Sequence, residues 1–297
     1  DTDNLGDHIP ELAGSAIGAV TLAGAVSHRG AIPPLPPSRM LGAVTVGLRP
    51  HNPYVESRAE LLAEVRTMAL LGERGGDVQY SNLGATLLGY ALANAGGHAD
   101  WDSYVTERLL TPLGMTSTRF AASDQQIPPQ APPGFLPDGR VAPRWPSEAF
   151  QPAGSSTLTT VDDLARYARA VLTGSAPGMD ALDPRWDAGG DSRVGYAWFT
   201  SPHDDRDVVW HNGGTAGFST MLALNRASGE AVFLVSNTTR GVDAAAVRLL
   251  LGSDEPVRPN VPIAGLALLA VAAASVLVLG WRAWRGSPKV TLLSSAA

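Results

Sequence analysis

The run Val209-Trp210-His211-Asn212-Gly213-Gly214-Thr215-Ala216-Gly217 sets a titratable imidazole just ahead of a glycine pair, between two apolar stretches. Glycine has no Cβ, so a ligand can lie directly against the backbone at Gly213 and Gly214. Backbone N–H groups beside a His suit the stabilisation of an oxyanion that develops during acyl transfer. A hairpin turn carrying a surface His fits the same residues, and the run alone does not choose. About 130 positions upstream stands Tyr80-Ser81-Asn82, where a glycine-rich stretch (Gly72, Gly75, Gly76) enters an apolar helix. A Tyr there serves as general base where nearby positive charge lowers its pKa from about 10. The Asn82 amide can hold a substrate carbonyl or orient a Lys beside a nucleophile. Taken alone, the three residues read as a buried Tyr followed by a helix-capping Asn; their occurrence together with the glycine-flanked His shifts the reading towards chemistry.

The elements that must position these residues are legible in the hydrophobic pattern. Ser57-Arg58-Ala59-Glu60 reads as a capping box ahead of Leu61, Leu62, Val65, Met68 and Ala69 at helical spacing. A short helix is expected near 21–27, an apolar one over 83–95 ending at Gly96-Gly97, and another over about 101–110. Thr160, with Asp163 three residues on, opens a helix that buries Leu164, Tyr167, Ala168, Val171 and Leu172. After Gly189-Gly190 the period changes, and strands are expected over 194–200, 207–210, 218–224 and 231–236, joined by hairpins such as 225–229. This predicts an antiparallel sheet, closed by a helix over about 242–251. The proline-rich stretch 125–152 reads as a long loop of the kind that serves function.

Composition narrows the function classes. The chain has 297 residues with a net charge of −6, which argues against a nucleic-acid partner. It has no Cys, and its six His residues (His8, His28, His51, His98, His203, His211) show no metal-ligand spacing, so no metal site is expected. No glycine-rich phosphate loop follows a strand, and no cofactor is expected. Residues 261–280 carry no charge and are long enough, as a helix, to span the hydrocarbon core. Trp281 and Trp284 suit the interface; Arg282, Arg285 and Lys289 place the tail on the cytoplasmic side and the large N-terminal part outside.

In order along the chain, several segments match one family. Asp7-His8-Ile9-Pro10-Glu11-Leu12 looks like its segment after the nucleophile helix. Thr21-Leu22 through His28, Gly30 and Pro33 is similar to its Thr-Leu…His-Thr-Ser-Gly-Leu-Pro loop, and Tyr80-Ser81-Asn82-Leu83-Gly84 to its Tyr-x-Asn motif. Pro112-Leu113-Gly114-Met115-Thr116-Ser117-Thr118, Pro152-Ala153-Gly154 and Asp162-Asp163-Leu164-Ala165-Arg166 match further segments. His211-Asn212-Gly213-Gly214-Thr215-Ala216-Gly217-Phe218 resembles the His-x-Gly form of its Lys-Thr-Gly motif. The chain thus resembles the serine β-lactamase-related hydrolases, which include class C β-lactamases, D,D-peptidases of the penicillin-binding-protein type and related esterases.

The resemblance implies an α/β (α+β) class, β-lactamase/transpeptidase-like fold, an antiparallel sheet flanked by helices. The expected organisation is an N-terminally incomplete hydrolase domain over 1–252, a linker at 253–260, one transmembrane helix at 261–281 and a cytoplasmic tail at 282–297. It implies Tyr80 as general base or proton shuttle, Asn82 against the substrate amide and His211 beside its carboxylate or ester. The Gly214 N–H would form half of an oxyanion hole, with Gly213 and Thr215 lining the substrate; a small molecule or peptide would pass through an acyl-enzyme to water. Two departures stand out: His28-Arg29-Gly30 replaces His-Thr-Ser-Gly, and Lys289 is the only Lys, so no Ser-x-x-Lys nucleophile occurs. The expectation is a membrane-anchored hydrolase whose chain, as it stands, lacks its nucleophile; the alternative is a non-catalytic cell-wall or ligand-binding protein. The substrate stays open among β-lactam, D-amino-acid peptide and ester.

Overall fold

A computed structural model describes residues 2–40 and 50–252. Its α-helices of four residues or more are α1 (Leu5–His8), α2 (Leu22–Val26), α3 (Arg58–Val65), α4 (Asn82–Ala95), α5 (Trp101–Val105), α6 (Val161–Leu172) and α7 (Asp243–Leu251). A two-stranded ladder pairs β1 (Arg119–Phe120) with β2 (Thr157–Leu158). The main sheet holds β3 (Trp186–Gly189), β4 (Ser192–Val194), β5 (Phe199–His203), β6 (Arg206–Gly214), β7 (Ser219–Asn225) and β8 (Glu230–Ser236). It is antiparallel throughout, each strand beside its sequence neighbours.

Side chains alternate across a strand, and here both faces are covered. Val209, Leu222 and Leu224 pack with Ala168 and Val171 of α6, while Val208, Trp210, Met221 and Ala223 pack with Ala246, Val247 and Leu250 of α7. That two-sided burial explains the nearly continuous apolar run of β7. A separate helical core joins Leu5, Ile9, Leu12, Ile17 and Val20 to Leu61 and Val65 of α3, Leu83 and Leu87 of α4, and Phe150.

The expected caps form. Ser57 Oγ accepts from Glu60 N–H while the Glu60 carboxylate accepts from Ser57 N–H at 2.9 Å. Thr160 Oγ1 accepts from Asp163 N–H. The Asp163 carboxylate reaches across instead, accepting from Ser117 N–H at 2.9 Å and Thr118 Oγ1 at 2.8 Å, and so pins the turn after Pro112 to α6.

Other expectations need correction. The strand expected over 194–200 is two, β4 and β5, because Ala197 takes a left-handed turn conformation at φ 65°. The strand β3 was not foreseen. The helix expected over 101–110 stops at Val105 and widens into a π-helical segment, Thr106–Leu110, just before Pro112. Proline there cannot donate to the preceding turn and crowds its carbonyl. β6 continues through Gly214, so the glycine pair lies in the ladder rather than in the turn, Gly213 opposite Thr220 and Gly214 opposite Ser219. Among the described residues no helix is long and apolar enough to cross a membrane. The span expected at 261–281, with its linker and tail, lies outside the described residues.

Candidate active site

Tyr80 and His211 come from separate bodies of secondary structure and meet. Their ring centroids are 6.3 Å apart. Tyr80 immediately precedes the N-cap of α4, and His211 lies in β6, three residues before its end. His28, in the loop after α2, completes the cluster with its ring 4.4 Å from that of Tyr80. Phe199 of β5 flanks His211 at 6.1 Å and stacks on Trp210 at 5.0 Å.

The cap of α4 is Ser81, not Asn82. Ser81 Oγ accepts from Gly84 N–H at 2.8 Å and donates to the Pro33 carbonyl at 2.8 Å. Asn82 is thereby freed from capping, and its Nδ2 lies 3.5 Å from the Tyr54 hydroxyl, a long contact. Burial pushes the Tyr54 phenol up to about 12, so it remains protonated there. Ser81 and Ser219 are both bound up in the fold; Ser219 Oγ sits against the carbonyls of Thr238 and Arg240.

The electrostatics of the cluster are those of uncharged groups. Burial raises the Tyr80 phenol above its ordinary value. The lowering by a neighbouring cation that a Tyr base needs is not supplied by the described residues, so the Tyr80 phenol stays protonated at neutral pH. Burial, then the neighbouring His211, lowers His28 to about 3. Burial also lowers His211, against the opposing pull of its hydrogen bond to the Asn212 carbonyl. That bond, 2.7 Å from Nδ1, fixes the tautomer, because a carbonyl can only accept. His211 therefore carries its proton on Nδ1 and keeps the lone pair on Nε2, the form that accepts a proton.

Gly213 and Gly214 are exposed at the end of β6. A Cβ on Gly214 would meet nothing nearer than the Phe218 carbonyl at 3.7 Å, so its face is open to a ligand. The Thr215 N–H is committed to that carbonyl at 2.9 Å, which closes the turn into β7. The long loop 125–152 docks beside this turn. Phe135 N–H donates to the Asn237 carbonyl, and Gly134 lies so close to Gly217 that a Cβ on Gly134 would stand 2.6 Å from the Gly217 carbonyl oxygen. Asn212 Nδ2 donates to Asp243 Oδ1 of α7.

The structure thus brings the Tyr80 and His211 rings together, with Gly213, Gly214 and Thr215 following His211 along the chain, and sets Asn82 beside Tyr54. It adds His28, Tyr54, Phe199 and Asp243, for which no local signal existed except the His of the 28–30 loop. No group of three or more His, Asp or Glu able to hold a metal occurs among the described residues.

The beta-lactamase family model matches residues 2–253. The chain belongs to the beta-lactamase family. It is 28% identical over 221 residues to the unguisins hydrolase ungD' of Aspergillus campestris, covering 67% of this chain and 40% of that one. It therefore spans less than half the length of that curated relative. A solved class C beta-lactamase superposes with a TM-score of 0.68 at 17% identity, covering 86% of this chain and 75% of that one. A D-stereospecific amidohydrolase from Streptomyces sp. gives 0.68 at 16% identity, covering 84% and 79%. At those identities the superpositions speak for the fold, which is the β-lactamase-like α+β arrangement with an antiparallel sheet.

Proposed function

We propose that this beta-lactamase-family domain carries the proton-transfer and oxyanion-binding side of a serine hydrolase that cleaves an amide or ester through an acyl-enzyme. The observation that carries the reading is the 6.3 Å approach of Tyr80 to His211 beside the open backbone of Gly213 and Gly214. Acyl transfer needs a proton delivered to the leaving group and one removed from the attacking hydroxyl or water. The Tyr80 phenol is the donor, and His211 Nε2 is the acceptor. The Gly214 N–H binds the carbonyl oxygen as its charge grows, and Asn82 and Thr215 line the acyl side.

The nucleophile in this reading is a Ser-x-x-Lys serine contributed by polypeptide ahead of Asp1. Because His211 and His28 are held neutral, the site attracts a carboxylate less than an ammonium would. An uncharged ester or amide is the preferred substrate over a carboxylate-bearing β-lactam. The apolar span at 261–281 would tether the domain to the extracytoplasmic face of a membrane.

The test compares the natural polypeptide extended upstream of Asp1 with residues 1–252 alone. Both are treated with a fluorophosphonate probe, a neutral nitrophenyl ester and a carboxylate-bearing chromogenic β-lactam. The reading expects a covalent adduct on the Ser-x-x-Lys serine of the longer chain, with ester turnover exceeding β-lactam turnover. Absence of adduct and turnover in the longer chain would leave a binding protein. An adduct within residues 1–252 would overturn the placement of the nucleophile.

A further inference from the structure

His28 is a buried, 4% exposed residue with φ at 59°, a left-handed backbone conformation that non-glycine residues rarely take. That conformation lets one residue make three contacts around Tyr80. The His28 carbonyl accepts the N–H of Gln79, the residue before Tyr80, at 2.7 Å. The His28 ring Nδ1 accepts the N–H of Ser81, the residue after it, at 3.3 Å. The ring itself lies against the Tyr80 ring. The backbone on both sides of the phenol is therefore held by the same imidazole-bearing residue.

The rest of the 28–31 loop is fastened to the 71–76 segment, which makes this bracket stiff. Leu71 N–H donates to the Ala31 carbonyl at 2.8 Å and Gly75 N–H to the Arg29 carbonyl at 2.8 Å. The Arg29 guanidinium returns two bonds, from Nε to the Gly76 carbonyl at 2.9 Å and from Nη2 to that of Gly75. Arg29 is one of the residues that depart from the family's His-Thr-Ser-Gly pattern, so here the loop is secured by its own means.

Accepting from Ser81 requires an unprotonated Nδ1 and puts the ring proton on Nε2, the opposite tautomer to His211. That Nε2 is buried and has no hydrogen-bond partner among the described residues. A buried unpaired N–H costs stability, and an apolar side chain of similar size would avoid it. What the imidazole provides and such a side chain cannot is the acceptor for Ser81.

We propose that His28 is the positioning residue for Tyr80: as a neutral imidazole it holds the Ser81 amide and the phenol face, and so sets the phenol opposite His211. The proposal rests on Tyr80 working in the acyl-transfer site. Its test reads the bracket itself and no turnover, so failure of either reading shows separately.

The experiment uses the chain with isotope-labelled His and Tyr and two variants. His28→Gly keeps the backbone conformation accessible and removes the ring; His28→Asn tolerates that conformation and restores an acceptor oxygen. In the unaltered protein at neutral pH, the ring-nitrogen resonances of His28 are expected to show a bare Nδ1 and a protonated Nε2. In His28→Gly the Ser81 amide should exchange at least about tenfold faster. The Tyr80 Cζ resonance, assigned with Tyr80→Phe, should titrate closer to pH ~10, the value of a solvated phenol. His28→Asn should restore Ser81 protection without restoring the Tyr80 titration. A protonated Nδ1 in the unaltered protein overturns the proposal whether or not His28→Gly folds. So do unchanged Ser81 exchange and unchanged Tyr80 titration in His28→Gly.

Discussion

Asn212 Nδ2 donates to Asp243 Oδ1 at 2.6 Å, joining the residue between His211 and Gly213 to the first turn of α7. A carboxylate in the first turn also complements the helix dipole, so one side chain anchors the site strand and caps the field of the helix beneath it. Asp243→Ala is expected to cost about 1–3 kcal/mol, because the Asn212 amide loses a charged acceptor. Asp243→Asn, which keeps a neutral acceptor, should cost about half as much. Urea unfolding of both variants checks this; equal stability of all three proteins would remove Asp243 from the account.

The glycines of the same run separate into two kinds. A Cβ on Gly217 would stand 2.5 Å from the Ala142 Cβ and 2.8 Å from the Gly134 Cα, so Gly217→Ala forces the long loop away. Overpacking of that sort costs about 1–3 kcal/mol. Gly214→Ala meets only the Phe218 carbonyl at 3.7 Å and should fold normally. Its methyl would then occupy the face offered to a ligand. The expected result is a lowered melting temperature for Gly217→Ala alone, and lost ester turnover with unchanged melting for Gly214→Ala in the extended polypeptide.

Local rules were enough where the contact was local. The caps at Ser57 and Thr160 and the hairpin at Asn225 depend on neighbours within five residues, and their sequence signals matched the structure. Motif order brought Tyr80 and His211 together because the two are 131 positions apart and no periodicity relates them. The rest depended on tertiary circumstance. Nothing near Asp163 announces that it will leave the capping box for Ser117 and Thr118. Ala197 and His28 hold positive φ without being glycine, so neither the break between β4 and β5 nor the bracket on Tyr80 had a local sign. The condition for a Tyr base, a cation nearby, is not met by the described residues, and burial alone moves the Tyr80 phenol upward.

Tyr80→Phe tests the proton-donor role. The phenol has a raised pKa from burial, so it is protonated at neutral pH and can deliver its hydrogen to a leaving group. Phe keeps the ring contacts with His28 and His211 and removes only the hydroxyl. In the extended polypeptide the expected loss in kcat is about a hundred- to ten-thousand-fold, with KM little changed. An equal rise in KM with kcat intact would show that the hydroxyl binds substrate and transfers no proton.

Acid should unfold this domain through its imidazoles. His28 is lowered to about 3, by burial first and then by His211, and burial lowers His211 as well. Both titrate near 6.5 in the unfolded chain. Below that value the unfolded state binds protons that the folded state refuses, so stability is full above pH ~6.5 and falls as pH drops toward the folded pKa values. Between pH ~7.5 and ~4.5, His28 alone spans two pH units of that window, about 3 kcal/mol. His28→Asn removes this titration, so its stability should decline less over the same interval, by about that amount. The measurement is a pair of urea titrations at each pH for the two proteins. A gap between them that stays constant with pH would show that His28 is no more resistant to protonation in the fold than in the unfolded chain.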